Sequence, residues 1–167
     1  MAEKDTIFSS KIKYSGIFSF NDFYEFCYSW LSDELGLTMT EKKYSEKLAG
    51  DTKTIDIEWT GNKKYTDYFR YEISVDFQIT GLKKVEVTQN GVKVNTNSGS
   101  VEIKVKGVLS RDYEGKFETS AFNKFLRGIY EKWVIPGRIT EFNTKVANDS
   151  SDFLDQAKAW LDLEGKK

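Results

Sequence analysis

The sequence predicts an α+β domain: a curved antiparallel sheet of about seven strands, one helix after the first strand, and a long C-terminal helical region packed on one face. Three observations predict it. Apolar residues alternate with a period of two from about residue 38 to 109, the period becomes helical on both sides of that block, and Gly and Asn residues punctuate its middle.

Residues 6–18 read as the first strand, with Phe8, Ile12 and Tyr14 alternating against Lys11, Lys13 and Ser15, and a bend at Gly16. Ser19-Phe20-Asn21-Asp22 supplies capping side chains, after which Phe20, Phe23, Tyr24, Cys27, Trp30 and Leu31 form one apolar helical stripe that Gly36 closes. Residues 38–48 form a polar, lysine-rich strand suited to a sheet edge. Ile55, Ile57 and Trp59 alternate with Thr54, Asp56 and Glu58. The clearest strand follows, with Phe69, Tyr71, Ile73, Val75, Phe77 and Ile79 on one face and Arg70, Glu72, Ser74, Asp76 and Gln78 on the other.

Gly81 is read as a turn into Val85 and Val87. Asn90-Gly91 is a hairpin signal, because both central residues of that turn need positive φ. Val92 and Val94 return, Asn97-Ser98-Gly99 is read as another turn, and Val101, Ile103 and Val105 make the last strand, with a bulge expected at Gly107. Phe122, Phe125, Leu126, Ile129, Tyr130 and Trp133 form a second helical stripe, which Pro136-Gly137 breaks or kinks. Ile139, Phe142, Val146, Phe153, Leu154, Ala157, Trp160 and Leu161 continue at helical spacing, with a split expected at Asn148-Asp149-Ser150-Ser151. No linker divides the chain, so residues 1–167 are read as a single domain with flexible ends at 1–5 and 164–167.

Bulk properties narrow the function. A chain of 167 residues buries enough surface to fold without disulfide or metal staples. The formal net charge of −1 argues against non-specific nucleic-acid binding. One cysteine, Cys27, allows no internal disulfide, and no leader is visible behind Met1, so a cytoplasmic setting is expected. No apolar run reaches transmembrane length.

The absence of histidine removes the commonest general base and the commonest metal ligand together. No phosphate-binding glycine loop, dinucleotide fingerprint, paired-cysteine spacing or calcium loop occurs, so neither cofactor nor metal is expected. Asp56, Glu58, Glu72 and Asp76 lie on neighbouring polar strand faces, where matching by Arg70 and Lys104 is favoured over acid–base catalysis. Cys27 sits within an apolar stripe and has no histidine to activate it. Tyr65, Tyr68, Phe69, Arg70 and Tyr71 form an aromatic cluster preceded by Lys63 and Lys64, but alternation leaves only Tyr68 and Arg70 facing outward, a thin platform for nucleotide stacking. Lys42-Lys43, Lys63-Lys64 and Lys83-Lys84 are accounted for by edge protection and solubility.

The order strand, helix, antiparallel strands and C-terminal helical region, spanning residues 6 to about 162, resembles the helix-grip arrangement of START-like proteins, the class that includes the plant pollen-allergen lipid binders. The resemblance implies a sheet wrapped around a long C-terminal helix, with an apolar cavity between them. The chain shows one helix where that class has two short ones, and no residue motif carries over.

Aromatic residues make up 15% of the chain, enough for either a bulky core or a ring-lined cavity. The rings expected to line such a cavity are Trp59, Phe69, Tyr71 and Phe77 from the strands, and Phe122, Tyr130, Trp133 and Phe142 from the C-terminal region. The function expected is a non-catalytic binding domain for an apolar or aromatic small molecule or lipid, held between sheet and helices. The alternative is a protein-interaction or structural module, a homodimer among its forms, that uses the C-terminal helices or a sheet edge. No catalytic residue set is assigned.

Overall fold

The computed structural model describes residues 3–66, 68–111, 121–129, 132 and 136–165. The chain runs β1 (Glu3–Phe18), α1 (Phe20–Ser29) continued by a π-helical turn (Trp30–Glu34), β2 (Thr38–Ala49), β3 (Thr52–Lys64), β4 (Phe69–Gln89), β5 (Val92–Arg111), α2 (Ala121–Ile129) and α3 (Pro136–Gly165). The strands form one antiparallel sheet in the order β1-β5-β4-β3-β2. The lysine-rich β2 is therefore an edge.

The sheet has five strands where seven were expected, and pairing explains the difference. The segments read as turns at Gly81 and at Asn97-Ser98-Gly99 lie opposite one another. Thr80 pairs with Ser100 and, after a register shift, Lys83 pairs with Ser98. Gly81 takes φ 64°, and Gly99 lets the Leu82 backbone approach so closely that a Cβ there would sit 3.1 Å from Leu82 Cα. The glycines thus build a β-bulge that both strands cross without turning. Beyond it, Lys83–Gln89 pairs with Val92–Ser98; Asn97 and Ser98 still pair with Phe18 and Ile17 of β1, so the two-stranded arm is Val85–Gln89 with Val92–Thr96, closed at Asn90 (φ 53°) and Gly91 (φ 79°).

One face of the sheet carries the core. Ile55, Ile57 and Trp59 of β3, the alternating residues from Phe69 to Ile79 of β4, and Val101, Ile103, Val105 and Leu109 of β5 are buried on it. Ser19 caps α1 by accepting a hydrogen bond from the Asp22 N–H, and Phe20, Phe23, Cys27 and Leu31 turn inward from it. Gly36, at φ 69°, ends this helical segment.

α3 lies against β1 and β5. Pro136 opens it, at a position where a helix loses no hydrogen bond to proline. The helix runs unbroken for 30 residues through Asn148-Asp149-Ser150-Ser151, where a split was expected. Weak local helix propensity there is overridden by burial of Val146, Ser150, Phe153 and Leu154 against the sheet.

Tyr68 is also corrected. It is buried and packs edge-on against Phe69, with ring centroids 5.0 Å apart. It precedes β4, so the strand's alternation does not reach it. Phe125, Leu126 and Ile129 of the second helical stripe are exposed.

Candidate functional site

The structure divides the sequence-picked rings into two groups. Trp59 and Phe77 lie beneath α1, 4.9 Å apart and edge to face. A bulge between Glu41 and Lys43 sets Glu41 opposite Trp59, so the Glu41 carboxylate accepts the Trp59 indole N–H at 2.8 Å as well as the Tyr24 hydroxyl. Burial, and then Glu41, push the Tyr24 phenol up to about 12. Every polar atom named in this group has a partner, which marks it as structure.

Phe69, Tyr71 and Phe142 meet at the other end, where β4 begins and β5 ends. The residue that joins them, Tyr65, was noticed in the sequence only as part of an aromatic run. Its ring stacks on Tyr71 (5.8 Å, 3°) and on Phe142 (4.7 Å, 15°), while Phe142 also packs against Phe69 at 4.9 Å. The β3–β4 connection holds Tyr65 in place. Its N–H donates to the Phe69 carbonyl at 3.0 Å, and Thr66 Oγ1 accepts from the Tyr68 and Phe69 N–H groups at 3.1 and 3.0 Å. The Lys145 ammonium lies 5.2 Å from the centre of the Tyr65 ring, within cation–π range. Tyr130 and Trp133 lie outside the described residues, as does the side chain of Phe122.

The polar atoms of this second group differ from those of the first. The hydroxyls of Tyr65, Tyr71 and Ser150 are all buried, and none has a hydrogen-bond partner among the described residues. Tyr71 and Ser150 are 0% exposed. The Ser150 hydroxyl is near enough to Tyr71 to favour its ionised form, yet no bond of complete geometry joins the two. Burial is the larger influence and raises the Tyr71 phenol well above its ordinary value, with Asp149 and Tyr65 adding to it. Burial and then Asp149 raise Tyr65 in the same way. Asp149 is itself raised by burial, against the opposing pull of Lys145. Both phenols are neutral at physiological pH, so they can donate and accept hydrogen bonds but supply no base.

Ser150 carried a sequence signal that was missed. It follows Val146 by one turn on the buried stripe of α3, a polar residue at a core position. Gly107 falls in the inward register of β5 between Val105 and Leu109. A Cβ there would collide with Ser150 Oγ and stand 2.9 Å from Val146 Cγ1. The glycine is what lets α3 sit this close to the sheet.

The acidic quartet is spread over the open face of the sheet. Glu58 pairs across the ladder with Asp76, Asp76 with Lys104, and Glu72 binds Arg70 and Lys4. Burial and then Glu58 raise the Asp76 carboxyl, while Lys104 opposes them. Cys27 is fully buried, and burial alone raises its thiol well above the ordinary value. Among the described residues, no group of three or more His, Cys, Asp or Glu side chains is placed to hold a metal ion. No described helix is long and apolar enough to cross a membrane. Comparison with protein-family models, curated proteins and solved structures gives no match for the chain.

Proposed function

We propose that this chain is a non-catalytic binding domain, holding an apolar or aromatic small molecule or a lipid between the sheet and the C-terminal helices. The observation that carries the reading is the set of buried, unpartnered hydroxyls on Tyr65, Tyr71 and Ser150 beside a stacked aromatic wall. Leaving a buried hydroxyl unpaired costs about 1–3 kcal/mol. Three such groups converging on one end of a ring-rich core make sense if a bound molecule brings the missing polar atom, since ligand sites combine apolar walls with a few convergent polar groups. The sheet order β1-β5-β4-β3-β2, with α3 across β1 and β5, supports a START-like helix-grip reading of the fold.

Native mass spectrometry of the purified protein, with a denatured control, tests the proposal. Excess mass lost on denaturation is expected, and both Tyr71→Phe and Ser150→Ala should reduce it while raising the melting temperature of the empty protein. Equal retention of that mass in both variants would place the ligand elsewhere.

A protein-interaction module remains the second reading, favoured by one observation. The edge strand β2 exposes Leu48 (75%) and Tyr44 beside an unpaired row of backbone groups. Light scattering showing a dimer that disperses in Leu48→Lys would favour it.

A further inference from the structure

The open face of the sheet takes no part in the ligand reading, and its charges are unevenly shared. Two neighbouring rows of side chains cross it. One runs Lys11–Lys104–Asp76–Glu58–Lys43, and the next runs Ser9–Lys106–Ser74–Thr60–Thr40 without a carboxylate. The bulge in β2 adds Lys42. Alternation would send successive lysines to opposite faces, but the extra residue between Glu41 and Lys43 turns both lysines to this one. Lys43 borders one hollow with Glu58 and Asp76. Lys42 borders a second, of about 360 Å³, with Thr60, Ser74, Lys104 and Lys106; Glu58 and Asp76 line it too. Lys42, Lys43, Lys104 and Lys106 are exposed, and none forms an ion pair among the described residues. Along the whole face Lys and Arg outnumber Asp and Glu about two to one. The helical side is opposite in sign. Residues 20–34 carry Asp22, Glu25, Asp33 and Glu34 with no Lys or Arg, and α3 holds six Asp or Glu against three Lys or Arg. The whole-chain charge of −1, which argues against nucleic-acid binding, thus averages a basic sheet face with an acidic helical side.

We propose that this face binds the backbone of double-stranded RNA without reading its sequence. The lysines meet phosphates, and the hydroxyls between them hydrogen-bond phosphate or ribose oxygens. Neighbouring strands lie about 4.8 Å apart, so about 14 Å of sheet separates Lys106 on β5 from Lys42 on β2, and the two reach separate phosphates. Other occupants fit less well, because the two rows carry no apolar or aromatic side chain. A nucleic-acid single strand needs rings on which its bases stack. A protein partner needs an apolar centre to its interface, and a bilayer contact needs apolar area that enters the headgroup boundary. Among duplexes, these rows put forward neither helix nor ribbon to enter the major groove of DNA. The wide, shallow minor groove of an RNA helix displays 2′-hydroxyls to a surface of this kind, and Ser74 and Thr60, set between two lysines, have the hydroxyls to pair with them. The same phosphates repel the acidic helical side, so the domain docks by one face only. The inference is independent of the hydroxyl site, which lies on the other face of the sheet.

The test is fluorescence anisotropy of a labelled RNA duplex of about 20 base pairs, titrated with the full chain at low salt. Binding is expected, with a slope of about −3 to −4 for log affinity against log salt if the four lysines without ion pairs each displace a counterion. Lys42→Glu combined with Lys106→Glu should lose about tenfold or more in affinity at unchanged melting temperature, because both side chains are exposed. Arg138→Glu combined with Lys158→Glu makes the same change of charge at exposed positions of α3 and should bind as the native chain does. Glu58→Gln combined with Asp76→Asn should tighten binding, since it removes the carboxylates that repel phosphate. A DNA duplex of the same sequence should bind about threefold or more weakly. No binding to the RNA duplex at low salt would overturn the proposal. So would an equal loss in the α3 variant, or binding to the DNA duplex, to single-stranded RNA or to phosphatidylserine vesicles as tight as to the RNA duplex.

Discussion

Gly107→Ala tests the seating of α3 on the sheet at the point where contact is closest. The added Cβ would overlap Ser150 Oγ and lie 2.9 Å from Val146 Cγ1, while Ser150 Cβ stands at an ordinary 3.4 Å. Both neighbours belong to the middle of a long helix and cannot swing aside alone. Overpacking of this kind costs about 1–3 kcal/mol. Replacing glycine also restricts the unfolded chain, which returns about 0.4–1 kcal/mol. The net expectation is a loss of about 1–2 kcal/mol, or roughly 2–8 °C in melting temperature at this chain length. Ser150→Ala alone should be neutral or stabilising by about 1 kcal/mol, since it removes a buried hydroxyl with no partner. Combining the two removes the worst overlap, so Gly107→Ala should cost about 1 kcal/mol less in the Ser150→Ala background than in the native one. Urea denaturation of the four proteins closes the cycle. A Gly107→Ala protein as stable as the native one would mean that α3 does not rest on β5 here. An equal cost in both backgrounds would remove Ser150 from the contact.

Two further perturbations probe other parts of the molecule. Trp30 is half-buried, 5.8 Å from Phe153, so Trp30→Ala should cost about 1–3 kcal/mol by chemical denaturation, less than a fully enclosed ring; a loss below about 0.5 kcal/mol would mean that the π-helical turn does not rest on α3. Asp76 has its carboxyl raised above the ordinary 3.8, so the folded state holds that proton more tightly than the unfolded chain. Its contribution to stability is present below pH 3.8 and lost as pH rises through the folded value, which makes the charged form a small net cost at neutrality. Asp76→Asn should therefore raise the melting temperature slightly at pH 7 and flatten its decline just above pH 4, whereas a fall at pH 7 would show that attraction to Lys104 outweighs burial and Glu58.

What the sequence disclosed was mainly local. Strict alternation from Phe69 to Ile79 identified the buried face of β4, and Asn90-Gly91 identified its hairpin, because both depend on near neighbours in the chain. Gly81 and Gly99 misled because a bulge and a turn need the same backbone freedom, and only the opposing strand distinguishes them. The stripe Phe125, Leu126 and Ile129 has helical spacing whether or not anything covers it, so periodicity gave the face but not its exposure. Ser150 was legible as a polar residue on a core stripe. That its hydroxyl goes unpaired depends on where Tyr71 ends and on how closely Gly107 admits α3, neither of which is local. Tyr68 was assigned by extending alternation past the strand that justifies it.

The hydroxyl site gains meaning from how unevenly α3 is held. Towards its C-terminus the helix is anchored by Phe153, Leu154, Ala157 and Leu161, and Trp160 packs on Phe23 and Phe26 at 5.3 and 5.9 Å. Separating that half would expose apolar surface at about 25 cal/mol per Å². Towards its N-terminus, the contact includes Phe142 and Val146 but also Ser150 facing Tyr71, with Tyr65 alongside. Opening there lets water satisfy hydroxyls that the closed form leaves unpaired, which offsets part of the apolar cost. Local opening of α3 should therefore begin at its Pro136 end, while the C-terminal half stays docked. A ligand with an oxygen between Tyr71 and Ser150 would reverse that bias, because it supplies in the closed state the hydrogen bonds that water supplies only in the open one. The same unpaired groups that weaken the empty fold would then favour closure around an oxygen-bearing apolar molecule over a pure hydrocarbon, which closes the site without satisfying them.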